Sequence, residues 1–302
     1  MIEFTADDFE QLCAGEVVRE RIGTIEAERK AAVRKFWIRG AVGLALSVAA
    51  LLTLLGSGWE VVAIIVFLVF LIGTIVAAIS PVMGAKEGLK TPVLEEVAKR
   101  AGLEYIPGDF DPPVYGDARG LLFGSLSSES FSDLFHGVGP DGRGYAVYEA
   151  TLQRRSGKNS YVVFSGQIYA FHRRPGLQGR TVIVPDKKIL NFFKPASDME
   201  RVRIEGDEEF ERRFEVYSTA PMEAKQVLFD SDLRRELLGL RKAGKVLVYI
   251  GPDAALVAAT GKNRFEPGNM FRSRPGKERV KLMFDDVCAS LTLLKTLKVR
   301  LG

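Results

Sequence analysis

Histidine, cysteine and tryptophan each occur only twice in this chain. His136 and His172 lie in different segments, neither with a second ligand at helical or loop spacing, so the ordinary zinc sites are excluded and both read as structural or exposed. Cys13 and Cys288 stand at opposite ends without paired spacing, which excludes a disulfide framework and fits a reducing compartment. Cys288 reads as a small core residue of a helix. No phosphate loop is present: GVGPDGRG (137–144) and GKNRFEPG (261–268) lack the Lys-Ser/Thr ending and read as turns. The acidic stretch GDFDPP (108–113), with Asp109, Asp111 and later Asp117, lacks the central glycine and terminal glutamate of a calcium loop. No Ser-His-Asp order stands out either. No cofactor and no catalytic constellation are expected. An enzyme would need a site assembled from scattered residues, for which Asp109, Asp111 and His136 are the first candidates.

Charge is also missing from residues 40–85, where Glu60 is the single exception. A bilayer core about 30 Å thick needs roughly 20 apolar residues at 1.5 Å each, so the halves on either side of Glu60 are each long enough to span. The expectation is a transmembrane helical hairpin over 40–85, with spans of about 40–58 and 61–81. Gly56, Ser57 and Gly58 supply the reversal, Trp59 suits a headgroup boundary, and Pro81 with Gly84 ends the second span. Gly40, Gly43, Ala45, Ser47, Ala49 and Ala50 favour close helix approach, within the hairpin or between copies as a homo-oligomer. Arg29, Lys30, Arg34, Lys35 and Arg39 precede the first span, Lys86 and Lys90 follow the second, and the turn has no basic residue. By the positive-inside rule both termini are cytoplasmic. Residues 1–39 are too charged to open with a cleavable leader.

Before the spans, Phe9, Leu12, Val17, Val18, Ile22, Ile25, Val33 and Phe36 recur at helical spacing, so residues 1–39 read as a cytoplasmic amphipathic helical arm. Residues 86–302 read as a cytoplasmic α+β domain with a mainly antiparallel sheet, several helices and a carboxyl-terminal amphipathic helix. TPVLEEVAKRAG (91–102) reads as a short helix started by Pro92, FDPPVYGDARG as a loop, SSESFSDLF as a helix and GPDGRG as a turn. YAVYEATLQ and YVVFSGQIYAF form a hairpin around SGKNS. TVIVP, RVRI and FEVYS are short strands, residues 222–240 are helical, and KVLVYIG with ALVAAT makes a second hairpin. In the final helix Val280, Met283, Phe284, Val287, Leu291, Leu294 and Leu297 share one face. About seven strands and a terminal helix also match the count of a pleckstrin-homology-like module.

The net charge of +4 comes from the part beyond residue 85, since the residues before it are on balance acidic. The basic residues gather in loops: Arg154, Arg155 and Lys158; Arg173, Arg174 and Arg180; Arg272 and Arg274, followed by Lys277 and Arg279. On a tethered domain these face either solvent, a protein partner or anionic lipid headgroups, the last worth about 1 kcal/mol per residue near the surface. No nucleic-acid motif accompanies them, so nucleic acid is not an expected partner.

LLFGSLSSESFSDLFHGVG, FSGQIYAFHRRPGLQGRTVIVPDK, EEFERRFEVYSTAPMEAKQVLFDSDL and RFEPGNMF, in that order after a two-span anchor, resemble the bacterial membrane proteins of domain-of-unknown-function family 3137, over residues 90–298. The resemblance implies a bacterial inner-membrane protein with a cytoplasmic domain and brings no catalytic residues. The functional expectation is an interaction or scaffold domain with a protein partner at the bilayer. The alternatives are an anionic-lipid headgroup module and a membrane-tethered enzyme.

Overall fold

A computed structural model describes residues 4–54, 60–108, 110–186 and 196–302. The reversal at Gly56 to Trp59 and the position of Asp109 lie outside the described residues. The chain is α+β, and it divides into two compact units: Ala98–Arg264 with Asp286–Gly302, and Phe4–Val97 with Phe265–Asp285.

The second of these is helical. Helix α1 (Ala6–Ala14) starts at Thr5, whose side chain and that of Asp8 cap each other's backbone N–H groups. Gly15 separates it from α2 (Glu16–Leu54), so the amphipathic arm is two helices, and the longer one runs without interruption into the apolar stretch. Helix α3 (Glu60–Ala101) passes through both Pro81 and Pro92, and neither proline starts or ends a helix as the sequence suggests. A proline removes one backbone hydrogen bond and crowds the preceding turn. Burial of Val82, Leu89, Val93, Leu94 and Val97 along the same helix outweighs that loss. Helices α2 and α3 are each long and apolar enough to cross a membrane, and their apolar halves are almost wholly exposed. They touch where Gly43 faces Thr74: a Cβ on Gly43 would fall 2.2 Å from the Thr74 hydroxyl oxygen. Gly43 is therefore the small residue that brings the two helices together within one chain.

The other unit is built on one sheet. Its strands are β1 (Glu104–Ile106), β2 (Ser128–Val138), β3 (Gly144–Ser156), β4 (Asn159–His172), β5 (Thr181–Pro185), β6 (Glu200–Val202), β7 (Phe214–Ser218), β8 (Val246–Ile250) and β9 (Ala254–Thr260). All pairings are antiparallel, in the order β1-β2-β3-β4-β9-β8-β5-β7-β6. Nine strands in one sheet exceed the seven behind the pleckstrin-homology comparison. The hairpins β3–β4 and β8–β9 stand where the aromatic and β-branched runs place them. SSESFSDLF, expected as a helix, is strand β2. Its spacing is broken by a bulge between Ser132 and Phe135, where Asp133 takes a left-handed φ of 57° and sits fully buried. The Tyr105 hydroxyl donates to Asp133 Oδ1 at 2.6 Å, and the Asp133 N–H donates to the Pro107 carbonyl at 3.0 Å.

Helix α4 (Tyr115–Leu122) replaces the second half of the expected FDPPVYGDARG loop and packs Tyr115, Ala118 and Leu122 on one face of the sheet. That face holds Tyr148, Phe164, Ile168, Val182 and Tyr249. Alternation along β4 sends Gln167, Tyr169 and Phe171 to the opposite face. There they meet the later turns of α8 (Gly276–Leu301), where Val287, Leu291, Leu294 and Leu297 are buried. With both faces covered, β5, β7 and β8 are buried along their whole length: TVIVP and VLVYI are almost unbroken apolar runs, and in FEVYS the buried Glu215 accepts from the Tyr217 hydroxyl at 2.9 Å while Ser218 Oγ lies 2.9 Å from Thr181 Oγ1. The expected helix over 222–240 is two: α6 (Pro221–Leu228) and α7 (Ser231–Ala243), divided at Asp230, which caps α7. A six-residue helix, α5 (Glu208–Arg213), precedes β7.

Candidate functional site

Among the basic residues singled out by sequence in the sheet-bearing unit, Arg154, Arg155 and Lys158 stand at one end of β4 and Arg173 and Arg174 at the other. Arg154 turns inward, donating to the carbonyls of Ser125 (3.1 Å) and Phe123, and so closes the end of α4. Arg155 donates across the hairpin turn to the Gly157 carbonyl at 3.3 Å, and Lys158 is exposed beside it. Arg173 lies at the far end of β4, roughly 45 Å along the strand at 3.3 Å per residue. It donates to the Gly251 carbonyl at 3.1 Å and to the last helical carbonyl of Leu301, and burial lowers its pKa. Arg174 is exposed. Arg180 pairs with Asp198 at 2.6 Å, both exposed. Arg272 and Arg274 belong to the other unit, in the loop before α8. Arg154 and Arg173 are thus fixtures of the fold, and the exposed members are Arg155, Lys158, Arg174, Arg180 and Arg272.

Asp111 is exposed, and His136 on β2 stands opposite Glu104 on β1, with Nε2 3.3 Å from Oε2. Among the described residues no three His, Cys, Asp or Glu side chains converge on a metal-sized site.

The structure instead assembles polar groups that sequence reasoning passed over. On the α8 side of the sheet, the Tyr169 hydroxyl donates to Gln167 Oε1 (2.7 Å), and the Gln167 amide donates to Ser290 Oγ (3.0 Å). Burial pushes the Tyr169 pKa up to about 12, which keeps the hydroxyl a donor. Nearby, buried Glu149 accepts from the Arg264 backbone N–H at 2.7 Å. Ser130, Ser132, Thr151, Ser165 and Asn263 surround the Glu149 carboxylate in a cavity of about 50 Å³. That admits a water molecule, not an organic substrate, whose pockets run to several hundred Å³. The signal was the period-2 polar stripe Ser130/Ser132, Glu149/Thr151, Ser165/Gln167, legible only once β2 is a strand. A hollow of about 650 Å³ opens between α2 and α3 beside Val42, Gly43, Phe70, Gly73 and Thr74, with apolar walls.

In the helical unit, two buried arginines hold the loop 267–275. Arg279 is fully buried and donates to the carbonyls of Pro267 (2.9 Å), Asn269 (3.3 Å) and Arg272 (2.6 Å). Arg29, also buried, reaches the Met270 carbonyl at 3.2 Å and holds the Glu26 carboxylate through its Nε (2.8 Å) and Nη2 (2.7 Å). That charge-assisted bonding pulls the Glu26 pKa down to about 2, and the Ser273 hydroxyl also donates to Glu26 at 2.8 Å. Lys86 and Lys90 both pair with Glu266 at the start of the same segment, at 2.6 and 3.3 Å.

No curated protein matches the chain. A solved structure, the mycobacterial trehalose monomycolate transport factor A, TtfA, shares 12% identity over 68% of this chain and 95% of its own, with a TM-score of 0.36. A likeness of that size supplies no argument about this chain. The family match begins inside β4, short of the span over which the quoted phrases resemble their relatives. Residues 162–299, from within β4 to near the end of α8, match the family described as Protein of unknown function (DUF3137).

Proposed function

We propose that this chain is a two-pass protein of a bacterial inner membrane, with both termini cytoplasmic, whose sheet-bearing unit serves as an interaction or scaffold domain. The observation that carries the reading is the exposure of the apolar halves of α2 and α3: Leu52, Val61, Ile72 and Val76 are each more than half exposed. In water that surface far exceeds the few hundred Å² that monomers leave open, and a bilayer is the solvent that fits it. The basic flanks set the orientation. An interaction role is supported by the exposed basic side chains of the sheet-bearing unit, Arg155, Lys158, Arg174 and Arg180. The test is affinity capture of the intact, detergent-solubilised chain, with residues 1–85 alone as control. A stoichiometric protein held only by the full chain is the expected result. Turnover of a hydrolase or transferase substrate panel by the purified full chain would sink the reading in favour of an enzyme.

A further inference from the structure

Two buried guanidinium groups shape one loop, and a phenylalanine and an arginine are among the residues that this loop exposes. Arg279 and Arg29 between them engage four backbone carbonyls, of Pro267, Asn269, Met270 and Arg272. Asn269 adds a side-chain turn, accepting from the Phe271 N–H at 2.8 Å, and Gly268 takes a left-handed φ of 80°. The result presents the Phe271 ring, 44% exposed, edge-on to Phe36 at 5.0 Å, and Phe36 in turn packs against Trp37, 65% exposed. Arg272 follows, exposed.

The level of this aromatic group along the helices can be measured. Helices α2 and α3 are antiparallel and in register at Gly43 with Thr74 and at Arg39, whose guanidinium donates to the Ala77 carbonyl at 3.0 Å. Phe36 therefore stands level with about residue 80 of α3, three residues further along each helix at 1.5 Å per residue. Counting from Glu60, the polar start of α3, a hydrocarbon core of about 30 Å takes about 20 residues and ends near Ser80. Phe36, Trp37 and Phe271 thus fall at the depth where aromatic side chains meet headgroups. Arg272, with Arg34 and Lys35 of α2, adds positive charge at the same depth, which complements anionic phosphate.

We propose that the loop Pro267–Pro275 is a bilayer-contact element: Phe271 enters the acyl boundary beside Phe36 and Trp37, and Arg272 binds the phosphate of anionic lipid headgroups. The proposal rests on α2 and α3 spanning the membrane, and it names the lipid class that the helical unit recognises there.

The test uses the full chain in nanodiscs of phosphatidylcholine, alone or mixed with phosphatidylglycerol, read by amide hydrogen exchange in peptides covering 40–54, 61–80 and 266–276. The span peptides report on the membrane reading, and the loop peptide reports on this one. Expected are protected spans in both discs and loop exchange slowed on the order of tenfold by phosphatidylglycerol. That slowing is expected to disappear in Phe271→Ser and in Arg272→Gln, two exposed positions where substitution leaves the span peptides unchanged. Protected spans with a loop that exchanges equally in both discs overturn the headgroup proposal and leave the anchor standing. Unprotected spans overturn both.

Discussion

At the scale of single residues, the charges that matter most are the ones hidden from view. Arg29 stands in the sequence as one more basic residue before a span, and Arg279 as one more in a basic loop. In the structure both are buried and bonded to backbone carbonyls up to 241 residues away in the chain. Nothing local marks them, because the desolvation that makes such a group structural is set by distant partners. Replacing Arg279 with Met is expected to leave three carbonyls short of a donor and to lower stability by about 2–4 kcal/mol, read as a fall in the melting temperature in detergent. Arg279→Lys is expected to recover little of it, since a single compact ammonium nitrogen cannot reach carbonyls that Arg279 contacts from two separate guanidinium nitrogens. Glu26 gives a pH counterpart. Its folded pKa of about 2 lies below the ordinary 4.5, so its contribution is complete above 4.5 and is lost as the pH falls from there toward 2. Glu26→Gln is expected to flatten that acid limb of a stability-against-pH curve, and an unchanged slope between pH 4.5 and 2 would contradict the assignment. Asp133 illustrates the same limit: its burial and left-handed backbone are products of a bulge, and the misassigned SSESFSDLF is where they lie.

At the scale of elements, the residue pattern marks an element wherever each of its faces meets one environment throughout, whether water or core. The hairpins β3–β4 and β8–β9, the short strands β5 and β7, and the terminal helix all follow their residue patterns. Failures came where local punctuation was overruled by packing. Pro81 and Pro92 ordinarily end helices, yet α3 passes both, with Val93, Leu94 and Val97 buried beyond Pro92 and only Ala78 and Val82 buried beside Pro81. The polar stripe around Glu149 was invisible while β2 was taken for a helix, since period 2 and period 3.6 place the same serines on different faces. The spans offer a sharper test. Gly43 and Gly40 look alike in sequence, but a Cβ on Gly40 meets nothing within 4 Å, whereas one on Gly43 collides with Thr74. Gly43→Ala is expected to force α2 and α3 apart and cost about 1–3 kcal/mol of thermal stability in detergent, with Gly40→Ala close to neutral. Equal effects at both positions would mean that the helices do not pack through Gly43.

At the scale of the whole molecule, the two anchoring arguments are independent of each other. The proposed insertion of α2 and α3 rests on their apolar length and exposure, and the proposed orientation rests on the distribution of basic residues. The second can be checked without adding a single side chain. Cys13 lies in α1 and Cys288 in α8, on opposite sides of the spans in sequence, and both are half-buried. If the hairpin enters and leaves from the cytoplasm, a membrane-impermeant maleimide applied to intact cells reaches neither, while both react in inverted vesicles. Cys13 is expected to react more slowly than a free thiol near neutral pH, because burial raises its thiol pKa despite the nearby Lys277 ammonium and so lowers the thiolate fraction. Labelling of one cysteine from outside would mean an odd number of crossings, which only one of the two apolar helices spanning the bilayer could produce. Labelling of both would reverse the orientation and place the basic flanks on the wrong side. External labelling of Cys288, alone or with Cys13, would also remove the loop at Phe271 from the cytoplasmic leaflet, so the orientation experiment bounds the lipid proposal as well as the anchor.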